Sequence, residues 1–299
     1  MVPALNALDL IRSIPTARRF DIGNLHFAQF ACPPQDGTAC LWAETDHLVH
    51  VLSGVSTWRT LGRSWAIGAG ETVFFKKGAY FAPPHHESNL CLLVFFVPDS
   101  FVRETVRELA GELSHAPLKQ GEPFQHVARV NNDLAVTAFI HAMTDYFSSQ
   151  EQPPAPLLKL KLKELIIGIL VGSGNHSLSD YFRLLASSRV PDIASIMEAN
   201  FRHNLPLESF AQMCHRSLSS FKRAFRHQYG TSPGRWLLDR RLSLSMNLLR
   251  TTNMSVTEIM LESGFEDPSH FSHAFRGKFG QPPSACRASA ASASGGPSD

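Results

Sequence analysis

Ser219–Pro233 reads SSFKRAFRHQYGTSP, and Ser269–Pro283, fifty residues further on, reads SHFSHAFRGKFGQPP; seven of the fifteen aligned positions are identical. Phe221/Phe271, Ala224/Ala274 and Phe225/Phe275 follow i, i+3, i+4 spacing, which places them on one face of a helix. Gly230 and Gly280 can stop that helix in a left-handed conformation, and Pro233 and Pro283 keep it from restarting. One unit is used twice.

Working outward, a shorter helix precedes each copy, over Leu207–Cys214 and over Val256–Ser263. Ser255 is an N-cap, with Glu258 three residues later completing a capping box. Gly264-Phe265-Glu266-Asp267-Pro268 supplies a glycine turn, then an N-cap, then a proline at the first helical position. Helix, tight turn, helix results in each case. Between the copies Ser232-Pro233 opens a long helix to about Arg250, which holds the two units at a fixed separation.

The outward residues of the two second helices are Ser219, Ser220, Lys222, Arg223 and Arg226, and Ser269, His270, Ser272, His273 and Arg276. A major groove admits one helix, whose early side chains reach base edges while later cations and the N-terminal amides hold phosphates. The plainer reading is a solvated basic face. Duplication with matching faces argues against it.

Composition agrees with a split chain. Of 299 residues 43% are hydrophobic and 18% charged, and the longest apolar run, Leu90–Val97, is too short to cross a bilayer as a helix. The N-terminus lacks the pattern of a signal peptide, so the expected location is the cytoplasm. Five scattered cysteines without a C-x-x-C read as reduced thiols. The net charge of +2 averages unlike parts: residues 193–287 carry 12 Lys/Arg against 7 Asp/Glu, the remainder 16 against 19. A basic third on an otherwise acidic chain fits one domain that meets a polyanion.

Before that third, Phe20–Pro98 reads as short strands: His47–Leu52, Ser56–Leu61, Glu71–Phe75 and Asn89–Val97, punctuated by Gly54, Gly62, Gly68, Gly70, Gly78 and Pro83-Pro84. Phe101–Leu113, Asn132–Phe147 and Leu157–Val171 read as helices. In the last of these, Leu158, Leu162, Leu165 and Ile169 keep the a/d spacing of a helix-pairing seam, which suits either dimerisation or packing on the chain's own strands. The expected division is 1–185 for sensing and dimerisation, 186–192 as linker, 193–287 for DNA binding, and 288–299 as a disordered tail.

The basic third resembles the AraC/XylS family of transcription regulators. The resemblance runs from about Val190 to Arg287 and is carried by Ser217–Phe225, Gly230-Thr231-Ser232-Pro233, Arg241-Leu242, Leu248-Leu249, and Gly264-Phe265 through Phe279-Gly280 to Pro283. It implies two helix-turn-helix units placed in successive major grooves of double-stranded DNA, with base contacts falling on Ser219, Lys222 and Arg223, and on Ser269, Ser272 and His273. It also implies a transcription activator that contacts RNA polymerase, a homodimer, and an N-terminal domain answering to a small-molecule effector or a regulatory protein. There are departures. His215 stands where the first turn often has glycine and reads as a turn residue tolerating the left-handed region. Met260 stands where alanine is usual and repacks the helix pair. His273 replaces a frequent arginine, which makes readout by the second unit weaker or pH-sensitive.

The strand region looks like a cupin-type barrel, giving an α+β chain: a cupin-like β-barrel with helices, then an all-α domain of two helix-turn-helix units joined by a long helix. Gly70-x5-Lys76-x-Gly78 and His85-x3-Asn89 echo a cupin's second motif. His47 and His50 form H-x-x-H instead of the H-x-H that a metal cupin needs, and residues three apart on a strand face opposite ways. No metal or other cofactor is expected. Trp42, Trp58, Trp65, Phe74 and Tyr80 are the aromatics available to line an effector pocket. The competing reading is a cupin-like metalloenzyme with a helical C-terminal domain. No G-x-S-x-G elbow, P-loop or G-x-G-x-x-G is present, so no catalytic residue is named and the chain is read as a regulator and not an enzyme.

Overall fold

The computed structural model describes residues 4–32, 38–60, 63–82, 89–109, 126–149, 151–187 and 193–287. Residues 2–191 and residues from 192 onward form two compact units. Most of the expected linker (188–192), the expected tail (288–299), the pair Pro83-Pro84, Gly62 and His85 lie outside the described residues.

In chain order the first unit runs β1 (Leu5–Asn6), α1 (Ala7–Ser13), β2 (Arg18–Ile22), β3 (Leu25–Ala31), β4 (Ala39–Ala43), β5 (Asp46–Ser53), β6 (Val55–Thr60), β7 (Arg63–Gly68), β8 (Thr72–Phe75), β9 (Gly78–Ala82), β10 (Cys91–Val97), α2 (Asp99–Glu108), β11 (Val127–Val130), α3 (Leu134–Ser148), α4 (Ala155–Val171) and α5 (His176–Ser187). The strands make two sheets, one ordered β1-β4-β9-β6-β7 and the other β11-β8-β5-β10-β3-β2. All pairings are antiparallel except β1 with β4.

β10 explains the uninterrupted apolar run. It pairs with β5 on one side and β3 on the other. Its Leu92, Val94 and Phe96 enter a core shared by both sheets, with Val49, Ile67 and Tyr80. Leu93, Phe95 and Val97 enter a second core, between the larger sheet and the helices. A strand buried on both faces has no polar face to alternate with. Aromatic pairs tie sheet to helices: Phe95 meets Phe139 of α3 edge-on at 4.8 Å, and Phe74 meets Phe182 of α5 at 5.7 Å.

The expected pairing seam is used up inside the chain. Leu158, Leu162, Leu165 and Ile169 are all 0–1% exposed and lie in the sheet-to-helix core with Phe139, Met143 and Phe182. Burial of each stabilises the unit by about 1.5–3 kcal/mol relative to exposure. The dimerisation role expected for these four residues is therefore corrected: a/d spacing arises wherever a helix lies in a groove, and here the groove is built by α3, α5 and the sheet. Gly168 marks how close α3 and α4 come, since a Cβ there would sit 2.2 Å from that of Ala135.

A buried polar network spans the same layers. Asp46 accepts hydrogen bonds from the Lys77 N–H and the Tyr181 hydroxyl, both at 2.7 Å, while Lys77 Nζ lies 2.6 Å from Asp99 Oδ2. Asp46 and Asp99 begin β5 and α2, so the network anchors both to α5.

The second unit is helical throughout its described residues: α6 (Ile193–Asn200), α7 (Leu207–Met213), α8 (Leu218–Tyr229), α9 (Pro233–Thr251), α10 (Val256–Glu262) and α11 (Pro268–Phe279). No helix among the described residues is long and apolar enough to cross a membrane.

Candidate nucleic-acid interface and sensor cavity

The duplicated units are built by the same local rules. The Ser217 hydroxyl caps α8 by accepting from Ser220 N–H, and Asp267 caps α11 by accepting from His270 N–H at 2.5 Å. Phe221 and Phe225, and Phe271 and Phe275, face inward at 0–1% exposure. Both helices end on left-handed glycines, Gly230 with φ 68° and Gly280 with φ 78°. In α10 the capping box is complete, and accepting hydrogen bonds from Ser255 holds the Glu258 carboxyl below its usual range.

The turns are equivalent bond for bond. His215 N–H donates to Gln212 O and Arg216 N–H to Ala211 O; Gly264 N–H donates to Leu261 O and Phe265 N–H to Met260 O. Both are Schellman closures around a left-handed residue, with His215 at φ 52° and Gly264 at φ 84°. Met260 therefore stands in the place of Ala211, and its side chain is buried in the core of the second unit. The offset between copies is 49 residues up to the turn and 50 after it, because Glu266 lengthens the second loop by one.

α9 belongs to both units. Trp236 packs edge-on against Phe225 at 5.9 Å, while Leu242 and Leu249 fill the core of the second unit. Arg241 fixes the rod to the segment after α6, its guanidinium donating to the carbonyls of Phe201 (2.6 Å) and His203 (2.9 Å). Lys278 of α11 donates to the Asp239 carbonyl at 2.8 Å and pairs with the Asp239 carboxylate at 3.2 Å. The Arg287 guanidinium donates to the carbonyls of Leu249, Thr252 and Met254. None of these bracing contacts was anticipated from sequence; only the cluster of Arg and Lys hinted at them.

Ser219, Lys222, Arg223 and Arg226 are exposed along one face of α8, and Ser269, His270, Ser272, His273 and Arg276 along α11; Ser220 is half-buried. Four of each set share the positions i, i+3, i+4, i+7, so the structure presents two copies of one stripe. Within the described residues no ion pair or side-chain hydrogen bond engages Lys222, Arg223, Arg226, His273 or Arg276, which leaves their charge and donors to solvent. Lys222, Arg223 and Arg226 also border a depression whose far side is Ser232, Pro233 and Gly234 at the start of α9. Only the N-cap signature Ser232-Pro233 signalled that a positive helix end stands there.

In the first unit a cavity of about 160 Å³ lies between the two sheets, with α1 as one wall. Of the five aromatics expected around a pocket, Trp58 lines it. Phe74 points into the other core, Tyr80 packs behind Trp58 and Phe75, Trp42 is buried away from the cavity, and Trp65 packs on the inter-sheet core. His47 and His50 face opposite ways. The His47 ring stacks on Phe75 at 5.3 Å within the inter-sheet core, while His50 Nδ1 meets the Thr72 hydroxyl at 2.9 Å. They cannot share an ion.

A helical unit with two matched recognition helices on one rod defines a helix-turn-helix DNA-binding regulator. Residues 46–181 match the family described as the ExsA N-terminal regulatory domain, and residues 210–289 the one described as helix-turn-helix domain. The thermoregulatory protein LcrF of Yersinia pestis is 25% identical over 81% of this chain and 89% of its own length. The HTH-type transcriptional regulator ExsA of Pseudomonas aeruginosa is 25% identical over 79% and 84%. The HTH-type transcriptional activator RhaS of Escherichia coli is 27% identical over 66% and 69%. The chain belongs to the AraC/XylS family of transcription regulators.

Proposed function

We propose that this chain is a sequence-specific transcription activator that lays α8 and α11 into successive major grooves on one side of a DNA duplex. The observation that supports this most directly is the repeated i, i+3, i+4, i+7 stripe on two helices fixed to one rod. Ser219, Lys222 and Arg223 read bases through the first helix, and Ser269, Ser272 and His273 through the second. Arg226, Arg276, Ser220 and His270 hold phosphates, which positions the helices without selecting sequence. Docking is electrostatic first, and binding of one unit then presents the other at high effective concentration through α9. Residues 1–185 act as the sensor, answering to a small-molecule effector or a regulatory protein, and the DNA-bound form contacts RNA polymerase in the cytoplasm. The sensor role is supported by the regulatory-domain match and activation by the naming of relatives as activators.

Selection of sites from random duplex DNA with the full-length chain, followed by titration at several salt concentrations, tests the proposal. Two short boxes about one helical turn apart, bound well above nonspecific DNA, are the expected result. Purely salt-sensitive, sequence-independent binding would overturn it.

A further inference from the structure

The inter-sheet cavity is apolar over most of its wall, with Ile11, Val49, Leu92, Phe96 and Trp58 facing it. Polar side chains interrupt that wall at His47, Ser56, Thr57 and Cys32, and Trp58 adds an indole N–H that is buried without a hydrogen-bond partner. His47 Nδ1 lies 3.2 Å from the Thr45 carbonyl oxygen. A carbonyl only accepts, so this contact places the ring proton on Nδ1 and leaves a lone pair on Nε2. Among the described residues neither His47 Nε2 nor the Ser56 hydroxyl makes a hydrogen bond. No Lys, Arg, Asp or Glu among the described residues lines the cavity. Burial also holds the His47 imidazole down to about 4, so it stays a neutral acceptor at ordinary pH.

We propose that this cavity binds a neutral, mostly apolar molecule of about one aromatic ring carrying a single O–H or N–H donor, which is directed at His47 Nε2. The inference rests on the sensor reading of the N-terminal unit and gives its ligand a chemical class. Size follows from volume: an apolar cavity of about 150 Å³ is filled by benzene. Polarity follows from the wall. An anionic ligand would bring a carboxylate against a lone pair with no cation to meet it, and a buried unpaired charge is strongly disfavoured. A sugar would bring several hydroxyls, each needing a partner, to a wall that is apolar over most of its area, leaving some of them unsatisfied. A phenol-like molecule satisfies His47 and buries its ring against Trp58 and Phe96.

Calorimetric titration of the full-length protein with p-cresol, p-xylene and benzoate tests this, because the three share size and differ in donor and charge. The expected result is p-cresol bound at least about tenfold more tightly than p-xylene, the effect of about one hydrogen bond to a buried acceptor, with benzoate not bound. In His47→Phe, which keeps the stack on Phe75, that ratio falls towards one while p-xylene still binds. Should the variant not fold, the wild-type ratio alone decides. Benzoate binding as well as p-cresol would overturn the ligand class and leave a small-molecule sensor standing. No binding of either neutral ring at millimolar concentration would overturn the cavity as a binding site and turn the sensor reading to a protein partner. Neither outcome touches the DNA-site selection, which reads the other unit.

Discussion

Where the first helix-turn-helix unit turns through His215, the second turns through Gly264, and the two residues close the same pair of hydrogen bonds with the same left-handed sign. Their surroundings differ. His215 is exposed, whereas a Cβ at Gly264 would sit 2.2 Å from the Arg202 carbonyl oxygen. The left-handed turn is thus common to both units, but glycine is obligatory only where another stretch of backbone presses on it. A side chain in that region costs roughly 1–2 kcal/mol, which a unit can carry; a backbone clash it cannot relieve by rotating a side chain.

The comparison breaks most readily at Gly264. Gly264→Ala combines the clash with an unfavourable φ and should destabilise the second unit by about 2–4 kcal/mol, read as a lowered chemical-denaturation midpoint. A shift no larger than that of a typical surface substitution would show that Arg202 yields. Next comes DNA binding: Arg223→Ala should lose about 1–3 kcal/mol of specific affinity, and His273→Ala, at the corresponding place, less. Competition titration against a selected site measures both, and equal losses would remove the ranking of the units. His215→Gly should gain up to about 1 kcal/mol of stability by relieving the left-handed side chain, offset by the extra freedom of glycine in the unfolded chain. A loss instead would mean that the imidazole contributes contacts of its own. The smallest effect belongs to Lys278→Ala, which removes the brace on Asp239 from a partly exposed pair; about 0.5 kcal/mol is expected in thermal melts.

The repeat made the helical unit legible because caps, turns and aromatic spacing are local and were written twice. Ser255 with Glu258, Asp267 with Pro268, and the left-handed His215 are each decided within a few residues of chain. The sheet unit was legible only in outline. β3, β4 and β9 escaped notice because each holds two alanines, weak strand formers, and none has the long apolar run that marked β10, and α1 because seven residues give barely two turns of periodicity. Four of the five aromatic candidates miss the cavity, Trp58 alone lining it, for a related reason: sequence shows that Phe74 and Phe75 are neighbours on a strand but not which of them faces the inter-sheet core. Likewise the α4 stripe reports that a groove receives it without saying whose groove. His47, which lines the cavity, drew attention in the sequence only as half of a metal pair that the strand geometry does not allow.

α9 has a consequence for the DNA it meets. Nineteen residues of α-helix make a rod of about 28 Å, and each residue added or removed would swing one recognition helix about 100° around the other. On the docking proposed above, the spacing between the two boxes of an operator is a discrete quantity stored in the length of one helix. Individual bases can drift and be tolerated at graded cost, whereas a box moved by half a turn of duplex is out of reach at once. A search for regulated promoters can therefore hold the spacing fixed and let the letters vary.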